Sequence, residues 1–247
     1  MGIHVIIPAR YDSARFRGKL LADLGGKPVL QWTYEAALQW SAADSVWVAA
    51  ADERIAAAVR NFGGKVFLSK EKHESGTERC AEAAVALGLT EDIIVNLQGD
   101  EPFVRSRQMQ DLVQALSEEA DLSSLCCPLL NHADLVDPNC VKVVMSRSGR
   151  ALYFSRAPIP HQRDVEHAQH HLPKGCCYKH IGLYAFRAGV LPQLAALQPT
   201  LLERVEKLEQ LRWLQHGFRI QMAEAEEDTI GIDTEEDLAK ARALLHA

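Results

Sequence analysis

The first hundred residues alternate between short apolar runs and amphipathic segments, and this alternation constrains the fold more than any other feature. The apolar runs are rich in β-branched residues, as buried strands are. They cover residues 3–7, 46–50, 66–68 and 93–97. Amphipathic helical patterns separate them, over residues 29–40, 53–62 and 77–87. Strands that alternate with helices at these intervals predict right-handed crossovers and an α/β fold with a mostly parallel sheet.

The second half of the chain has a different pattern. Apolar runs over 125–130 and 141–145 are followed by extended segments around a polar, histidine-rich loop at 161–171. Further helix–strand units do not follow these runs. We therefore expect a small inserted antiparallel lobe at about residues 150–190, within a single domain that spans residues 1–247.

Residues 202–216 predict one amphipathic helix near the end of the chain. Val205, Leu208 and Leu211 would lie on one face, and Glu206, Gln210 and Trp213 on another. The first face is expected to pack against the core, which leaves the second to contact a ligand.

Composition excludes several classes of protein. The chain has 247 residues, 47% of them hydrophobic, and a net charge of -6, which argues against a general nucleic-acid-binding protein. Its apolar runs are shorter than the roughly 20 residues of a membrane helix. The six cysteines include no Cys-x-x-Cys pair, which is typical of structural thiols in a reducing compartment. We expect a cytoplasmic protein with a small partner and no membrane span.

A basic loop follows the first predicted strand. It carries Arg10, Arg15, Arg17 and Lys19, with Ser13 and Gly18 between them. Cations and backbone amides that converge in this way favour a polyanion such as a triphosphate. The spacing matches neither the Walker P-loop nor the glycine pattern of dinucleotide-binding folds. A solvated basic turn is the alternative, but in an acidic chain the clustering favours phosphate binding.

Two carboxylates form the second candidate feature. Asp100 follows the run at 93–97, and in an open parallel sheet ligands bind beyond the carboxyl ends of the strands. Asp233 precedes Thr234, the better N-cap candidate for a terminal helix over 235–245. We expect Asp100 and Asp233 to face each other and hold Mg²⁺, which prefers oxygen ligands. The alternatives are a helix cap for Asp100 and a helix-dipole partner for Asp233.

Seven segments in order along the chain carry a resemblance to a known family. They are IPARYDSARFRGK, HESGTER, NLQGDEP, ALYFSRAPIP, HIGLYAFR, LEQLRWL and GIDTEEDL. Together they resemble the 3-deoxy-manno-octulosonate (Kdo) cytidylyltransferases. The resemblance implies the Rossmann-like fold of nucleotide-diphospho-sugar transferases, with a small dimerisation lobe. It also implies a cytoplasmic, homodimeric, Mg²⁺-dependent enzyme that joins CTP and Kdo into CMP-Kdo and pyrophosphate for lipopolysaccharide biosynthesis.

The same resemblance assigns roles residue by residue. For the nucleotide it implies Arg10, Ser13, Lys19, His73, Ser75, Gly76 and Thr77, the first three on the triphosphate. For the acid sugar it implies Gln98, Arg156, His180, Tyr184, Glu209 and Gln210, with Arg156 on the sugar carboxylate. Asp100 and Asp233 become the magnesium ligands, and Arg10, Lys19 and Asp100 the catalytic residues. No residue is assigned as a general base.

Some of these residues have plainer interpretations. From pattern alone, His180 fits a half-buried strand histidine and Tyr184 a core aromatic equally well. Arg17 stands where the family usually has proline before Gly18, so the loop gains a cation and loses a rigid φ restraint. The histidines of the 161–171 loop lack the spacing of a metal site, which favours a solvated loop. They are His161, His167, His170 and His171.

Two other functions stay open from the sequence. A cytidylyltransferase for another acid sugar, such as 8-amino-Kdo or sialic acid, would share the nucleotide-binding half. A catalytically idle nucleotide-sugar sensor on the same fold would bind CTP without releasing pyrophosphate. The presence of both Asp100 and Asp233 argues against the sensor.

Overall fold

The computed structural model describes residues 1–13, 15–163, 172 and 175–245, and most of its strands and helices follow the sequence pattern. The strands are β1 (Ile3–Ala9), β2 (Asp23–Leu24), β3 (Lys27–Pro28), β4 (Ser45–Ala50), β5 (Val66–Leu68), β6 (Ile93–Asn96), β7 (Leu122–Pro128), β8 (Lys142–Met145), β9 (Ala151–Ser155), β10 (Tyr178–Arg187) and β11 (Ile220–Glu224). The helices are α1 (Val29–Leu38), α2 (Glu53–Asn61), α3 (Gly76–Ala86), α4 (Ser106–Gln114), α5 (His132–Val136), α6 (Leu191–Ala195), α7 (Leu201–Glu206), α8 (Gln210–Gln215) and α9 (Glu235–Leu244).

A parallel sheet organises the first of two structural units. This unit comprises Met1–Gln110, Ala185–Ala195 and Thr229–Ala247. Strands β6, β1, β4 and β5 lie side by side in that order, and each neighbouring pair is parallel. The central strand β1 is buried on both faces, as its continuous apolar run predicts. The predicted parallel sheet is therefore confirmed, and the carboxyl ends of β1 and β6 lie at the same edge.

Local sequence signals set the ends of the helices in this unit. The Asp52 carboxylate accepts hydrogen bonds from the backbone amides at the start of α2, and the Ser75 hydroxyl does the same for α3. Gly63, just beyond α2, has a left-handed φ of 77°, which glycine adopts without steric cost. These caps hold the helices at the lengths that the sequence predicts.

The terminal helix α9 returns to the first unit. Thr234 caps it, and its hydroxyl and the Asp237 carboxylate bond reciprocally to backbone amides in a capping box. Ile232 and Leu238 pack with Leu24 and Val29 in one buried cluster. The predicted helix and its N-cap are confirmed, and the cluster fixes the position of the segment that carries Asp233.

The second unit comprises Asp111–Tyr184 and Ala196–Asp228. Its strands β7 and β11 pair in parallel, whereas β8 pairs antiparallel with both β9 and β10. The extended, antiparallel character expected after Gly149 is thus present in β9 and β10. An inserted lobe bounded at about residues 150–190 stays a prediction.

The single helix predicted over 202–216 is wrong, because the chain forms two helices there. Lys207 adopts a left-handed φ of 55° and ends α7, where its amide donates to the carbonyl of Glu203 at 2.7 Å. This turn resets the helical register, so the predicted faces do not hold. Val205 is 73% exposed, whereas Trp213, predicted on the opposite face, is fully buried.

Within the part of the chain that the structure describes, no helix is long and apolar enough to cross a membrane.

We predict that Leu238→Ala destabilises the protein by about 2–4 kcal/mol, because it leaves a cavity in the cluster that anchors α9. The free energy of unfolding measured in urea tests this. Leu244→Ala on the same helix is the control, since Leu244 is 49% exposed and should change stability by about 0.5 kcal/mol or less. Equal losses in the two variants would contradict the packing described here.

Candidate active site

A cavity of about 230 Å³ lies at the carboxyl edge of the parallel sheet in the first unit. Its lining is Pro8, Arg10, Ser13, Arg15, Lys19, Leu20, Gln98, Gly99, Asp100 and Asp233. The basic loop after β1, the loop after β6 and the segment before α9 therefore meet in one place. The three segments that the sequence singled out are distant along the chain and share this cavity.

Asp100 and Asp233 meet around the ammonium group of Lys19. Lys19 Nζ donates a hydrogen bond to a carboxylate oxygen of each, and its distance to Asp233 Oδ1 is 2.8 Å. The Arg15 guanidinium pairs with the other oxygen of Asp233 at 2.9 Å. Two carboxylates and two cations thus form one network, and the expectation that the carboxylates face each other is confirmed.

The carboxylates keep Lys19 charged. Burial of the ammonium by itself lowers the pKa of Lys19, but the charges and hydrogen bonds of Asp100 and Asp233 outweigh burial. The net effect raises the pKa above its ordinary value, so Lys19 is protonated at neutral pH.

Backbone contacts hold the two acidic residues in register. The amide of Ile232 donates to the carbonyl of Asp100 at 2.9 Å, which ties the segment before α9 to the loop after β6. Asp237 accepts from the amides of Asp233 and Thr234 at 3.2 and 3.0 Å. Because Asp237 and Thr234 cap the helix, the Asp233 carboxylate is available to the cavity.

Close packing at Gly99 and Thr33 fixes the loop after β6. A Cβ at Gly99 would lie 3.2–3.3 Å from side-chain atoms of Leu20 and Leu30, so glycine permits the basic loop to approach. The buried hydroxyl of Thr33 donates to the carbonyl of Gly99 at 3.0 Å. The sequence analysis missed Thr33, whose only signal was a polar side chain on the buried face of α1.

The expectation that four cations converge is wrong for Arg17. Its Nε donates to Asp12 Oδ1 at 3.0 Å, both side chains are 71% exposed, and Arg17 does not line the cavity. The carboxylate of Asp12 holds it in solvent. Arg10, Arg15 and Lys19 are the cations at the cavity, and Arg15 had been assigned no individual role.

The start of α3 lies beside the cavity. A Cβ at Gly76 would be 3.1 Å from Pro8 and 4.0 Å from Gln98 Oε1, both of which line the cavity. Ser75 Oγ caps the helix by accepting from the amide of Glu78 at 3.2 Å, and Thr77 is buried in the first turn. These three residues of the predicted nucleotide site therefore lie at a helix N-terminus, which favours negative charge.

His73 lies beside α3 and faces an acidic partner. Its Nε2 is 2.7 Å from Glu82 Oε2, and only 12% of its side chain is exposed. A contact with cytosine is its predicted role, and in this structure the ring is held by Glu82.

A buried asparagine orients Gln98. Asn96, at the end of β6, is 1% exposed, and its Oδ1 accepts from Gln98 Nε2 at 3.2 Å. The Gln98 amide nitrogen is thereby turned to Asn96, and its Oε1 faces the start of α3. A polar residue inside an otherwise apolar strand was the sequence signal for Asn96, and the sequence analysis overlooked it.

The other predicted sugar-binding residues, Arg156, His180, Tyr184, Glu209 and Gln210, lie in the second unit.

Among these, His180 is buried and has a polar side chain beside each of its two ring nitrogens. Its Nε2 lies 2.9 Å from Ser124 Oγ, and its Nδ1 lies 3.5 Å from Gln210 Nε2. Its ring packs against Phe154 and Tyr184. Burial lowers the pKa of His180 to about 3, with a further contribution from the charge of Lys179. His180 is therefore neutral at physiological pH.

Tyr184 packs edge-on against Trp213, with ring centroids 5.1 Å apart. Burial raises the pKa of Tyr184 well above its ordinary value, and the nearby negative charge of Glu209 adds to this. The hydroxyl is therefore protonated and can donate a hydrogen bond.

Arg156 is engaged with backbone carbonyls near the end of α7. Its Nε donates to the carbonyl of Glu206 and one terminal nitrogen to that of Pro138, both at 2.8 Å. The Glu206 carboxylate accepts from the Arg156 amide at 2.9 Å. A sugar carboxylate at this guanidinium would have to replace some of these carbonyl contacts.

The remaining cysteines and histidines were candidates for a metal site or a structural role. Within residues 1–13, 15–163, 172 and 175–245, no group of three or more histidine, cysteine or acidic side chains is placed to hold a metal ion. None of the six cysteines forms a disulfide, and burial raises the pKa of Cys126 and Cys127 to about 12, as expected of packing thiols. His161 is exposed. His167, His170 and His171 lie outside the described residues.

Comparison with known proteins agrees with this architecture. A family model described as cytidylyltransferase matches residues 4–223. A 3-deoxy-manno-octulosonate cytidylyltransferase of Parabacteroides distasonis is 46% identical over 245 residues, covering 97% of this chain and 96% of that protein. That of Aliivibrio fischeri is 46% identical over 248 residues, covering 99% of each. A solved structure of CMP:2-keto-3-deoxy-manno-octonic acid synthetase complexed with CTP has 40% identity and a TM-score of 0.90, covering 100% of this chain and 99% of that one.

A parallel α/β sheet with cations and paired carboxylates at its carboxyl edge is the architecture of an enzyme that transfers nucleotidyl groups. The chain belongs to the cytidylyltransferase family, and within it to the 3-deoxy-manno-octulosonate cytidylyltransferases. The resemblance carried by the seven sequence segments is confirmed, and so is the α/β fold with a mostly parallel sheet and a small antiparallel part. Dimerisation through the lobe stays a prediction.

We predict that acid destabilises the protein through His180. Its pKa is about 3 when folded and near 6.5 when unfolded, so between these values the unfolded chain binds more protons than the folded chain. The free energy of unfolding should therefore decrease as the pH falls from about 6.5 towards 3. Urea denaturation across this range should show a smaller decrease for His180→Gln. Replacement of the exposed His161 by glutamine is the control, and a wild-type pH slope in His180→Gln would contradict the prediction.

Proposed function

We propose that this enzyme transfers the cytidylyl group of CTP to Kdo, giving CMP-Kdo and pyrophosphate. The observation that carries the proposal is the meeting of Asp100 and Asp233 beside Arg10, Arg15 and Lys19 in one cavity. Support for the two substrates comes from the relatives, which are named for Kdo and matched over nearly their whole length, and from the similar synthetase solved with CTP.

The nucleotide is proposed to bind with its triphosphate against the basic loop. Arg10 and Lys19 line the cavity and supply positive charge, and Ser13 supplies a hydroxyl donor. Ser75, Gly76 and Thr77 extend the site along the N-terminus of α3, where backbone amides and the helix dipole favour acceptor groups. We assign the cytosine and the adjoining part of the nucleotide to this end, together with His73.

Asp100 and Asp233 are proposed to hold Mg²⁺, and the donor set fits this ion. Both ligands are hard carboxylate oxygens, and they already share one cation, the Lys19 ammonium. Two protein ligands suffice because Mg²⁺ usually completes its octahedron with water and substrate phosphates. When bound, it supplies neutralisation of the charge that develops on the phosphate oxygens.

The proposed reaction is an in-line displacement at the α-phosphorus of CTP. The anomeric oxygen of Kdo forms a bond to this phosphorus, the bond to the bridging oxygen breaks, and pyrophosphate leaves with the electron pair. Arg10 and Lys19 stabilise the negative charge on the leaving group, and the cavity holds the reactants in line. The hydroxyl proton passes to water, because no described side chain is assigned as a general base.

For the sugar, we propose individual roles that the family resemblance implies. They concern Gln98 at the cavity of the first unit and, separately, Arg156, His180, Tyr184, Glu209 and Gln210 of the second unit. His180 is neutral and Tyr184 is protonated, so a hydrogen bond from either to a sugar hydroxyl buries no new charge, although the sugar has to take the place of a present partner. The fixed fork of Arg156 matches a carboxylate.

A homodimer in the cytoplasm that serves lipopolysaccharide biosynthesis is the wider proposal. The relatives' activity on Kdo supports the pathway, and large apolar side chains on the second unit support association. Leu152, Leu201 and Val205 are 59%, 68% and 73% exposed, and such side chains are common at contacts between chains.

We predict that Asp100→Asn and Asp233→Asn each lower kcat/KM by about a hundredfold or more, because each removes charge from the proposed metal site. Pyrophosphate release at saturating CTP and Mg²⁺ measures this. Asp23→Asn is the matched control, since Asp23 is exposed and does not line the cavity. Wild-type turnover in purified Asp100→Asn would refute its role as a metal ligand.

We predict that Kdo has the highest kcat/KM in a panel with 8-amino-Kdo and sialic acid, measured by pyrophosphate release from CTP. A higher kcat/KM for either of the other sugars would show that this sugar, and not Kdo, is the substrate. The protein would still be a cytidylyltransferase. Binding of CTP without pyrophosphate release on any acid sugar would support the idle sensor and overturn the proposal.

A further inference from the structure

Lys19 lies where the proposed function requires a divalent cation. Its ammonium donates to both Asp100 and Asp233, and only 12% of its side chain is exposed. We infer that Lys19, with Arg15, holds the two carboxylates until the triphosphate draws both cations away, so that nucleotide and divalent metal bind cooperatively by cation exchange. This inference rests on the proposed function, because it takes Asp100 and Asp233 as the metal ligands.

The charges of the network are balanced in the structure. Two carboxylates face one ammonium and one guanidinium, and Arg15 takes the oxygen of Asp233 that Lys19 leaves. A divalent cation that entered beside Lys19 would place like charges in contact at a partly buried site, where water screens them poorly. A metal ion that binds in the absence of nucleotide must therefore displace the Lys19 ammonium from the two carboxylates. The ammonium would then lose two charge-assisted hydrogen bonds and gain no new partner.

The triphosphate provides that replacement within the same cavity. Arg15 and Lys19 both line it, next to Arg10 and Ser13. Lysine carries its charge on a flexible four-carbon stem, so Lys19 can turn from the carboxylates to a phosphate. Nucleotide binding then frees two anionic ligands for the metal, and the bound metal in turn keeps Lys19 with the phosphates. Such coupling is reciprocal by thermodynamic necessity.

The inference predicts that loss of the Lys19 charge increases metal affinity in the absence of nucleotide. We expect Lys19→Met to bind Mn²⁺ about tenfold or more tightly than the wild type, measured by electron paramagnetic resonance of free Mn²⁺. Lys19→Arg keeps the charge and should bind Mn²⁺ as weakly as the wild type. Lys27→Met is the matched control, because Lys27 pairs with Glu35 at 2.6 Å and does not line the cavity.

A double variant shows where the tighter Mn²⁺ binding of Lys19→Met takes place. Lys19→Met combined with Asp100→Asn should lose it if the two carboxylates are the ligands. Unchanged Mn²⁺ affinity in folded Lys19→Met, verified by circular dichroism, would overturn the exchange. An increase that survives in the double variant would overturn it too, because the metal would then bind elsewhere.

A separate measurement tests whether Asp100 is a metal ligand at all. Water proton relaxation of Mn²⁺ in the presence of enzyme and CTP reports the ternary complex, and Asp100→Asn should weaken it. If Asp100→Asn leaves this signal unchanged, the metal assignment itself fails. If Asp100→Asn weakens it while Lys19→Met gains no Mn²⁺ affinity without nucleotide, the metal site stands and only the exchange is refuted.

Discussion

The ion pairing of Lys19 with Asp100 and Asp233 is the interaction on which the site depends. Neither carboxylate could lie next to the other in a partly buried position without a cation between them, because like charges at this distance repel strongly. The ammonium is that cation in the structure, with Arg15 balancing the remaining charge. The paired carboxylates attract cations, and the cations beside them in the same cavity, Arg10, Arg15 and Lys19, attract anions.

Sheet topology brings two of these charges together. Parallel strands β1 and β6 end at one edge, so the loops that carry Lys19 and Asp100 emerge side by side. Asp233 is positioned by other contacts. They are the backbone hydrogen bond from the amide of Ile232 to the carbonyl of Asp100 and the apolar packing of α9. The charged side chains of the cavity are thus held in place by an apolar framework.

The second unit stabilises its polar side chains in a different way. His180 stays neutral because burial disfavours its charged form, and Ser124 and Gln210 lie within hydrogen-bond distance of its nitrogens. The guanidinium of Arg156 instead donates to the carbonyl of Glu206 at the end of α7. The cavity of the first unit thus balances charge with charge, whereas the buried imidazole of His180 in the second unit carries no charge.

Local sequence was enough to predict most strands, the bounds of α2 and α3, the N-cap of α9 and the three segments that line the cavity, because periodicity and capping act over a few residues. It failed at Lys207, where one left-handed residue divides a predicted helix, and at Arg17, whose partner Asp12 competes with the cavity. Only the tertiary structure decided that Lys19 bridges Asp100 and Asp233. That contact joins residues 81 and 214 positions apart, and no short-range pattern encodes such a distance.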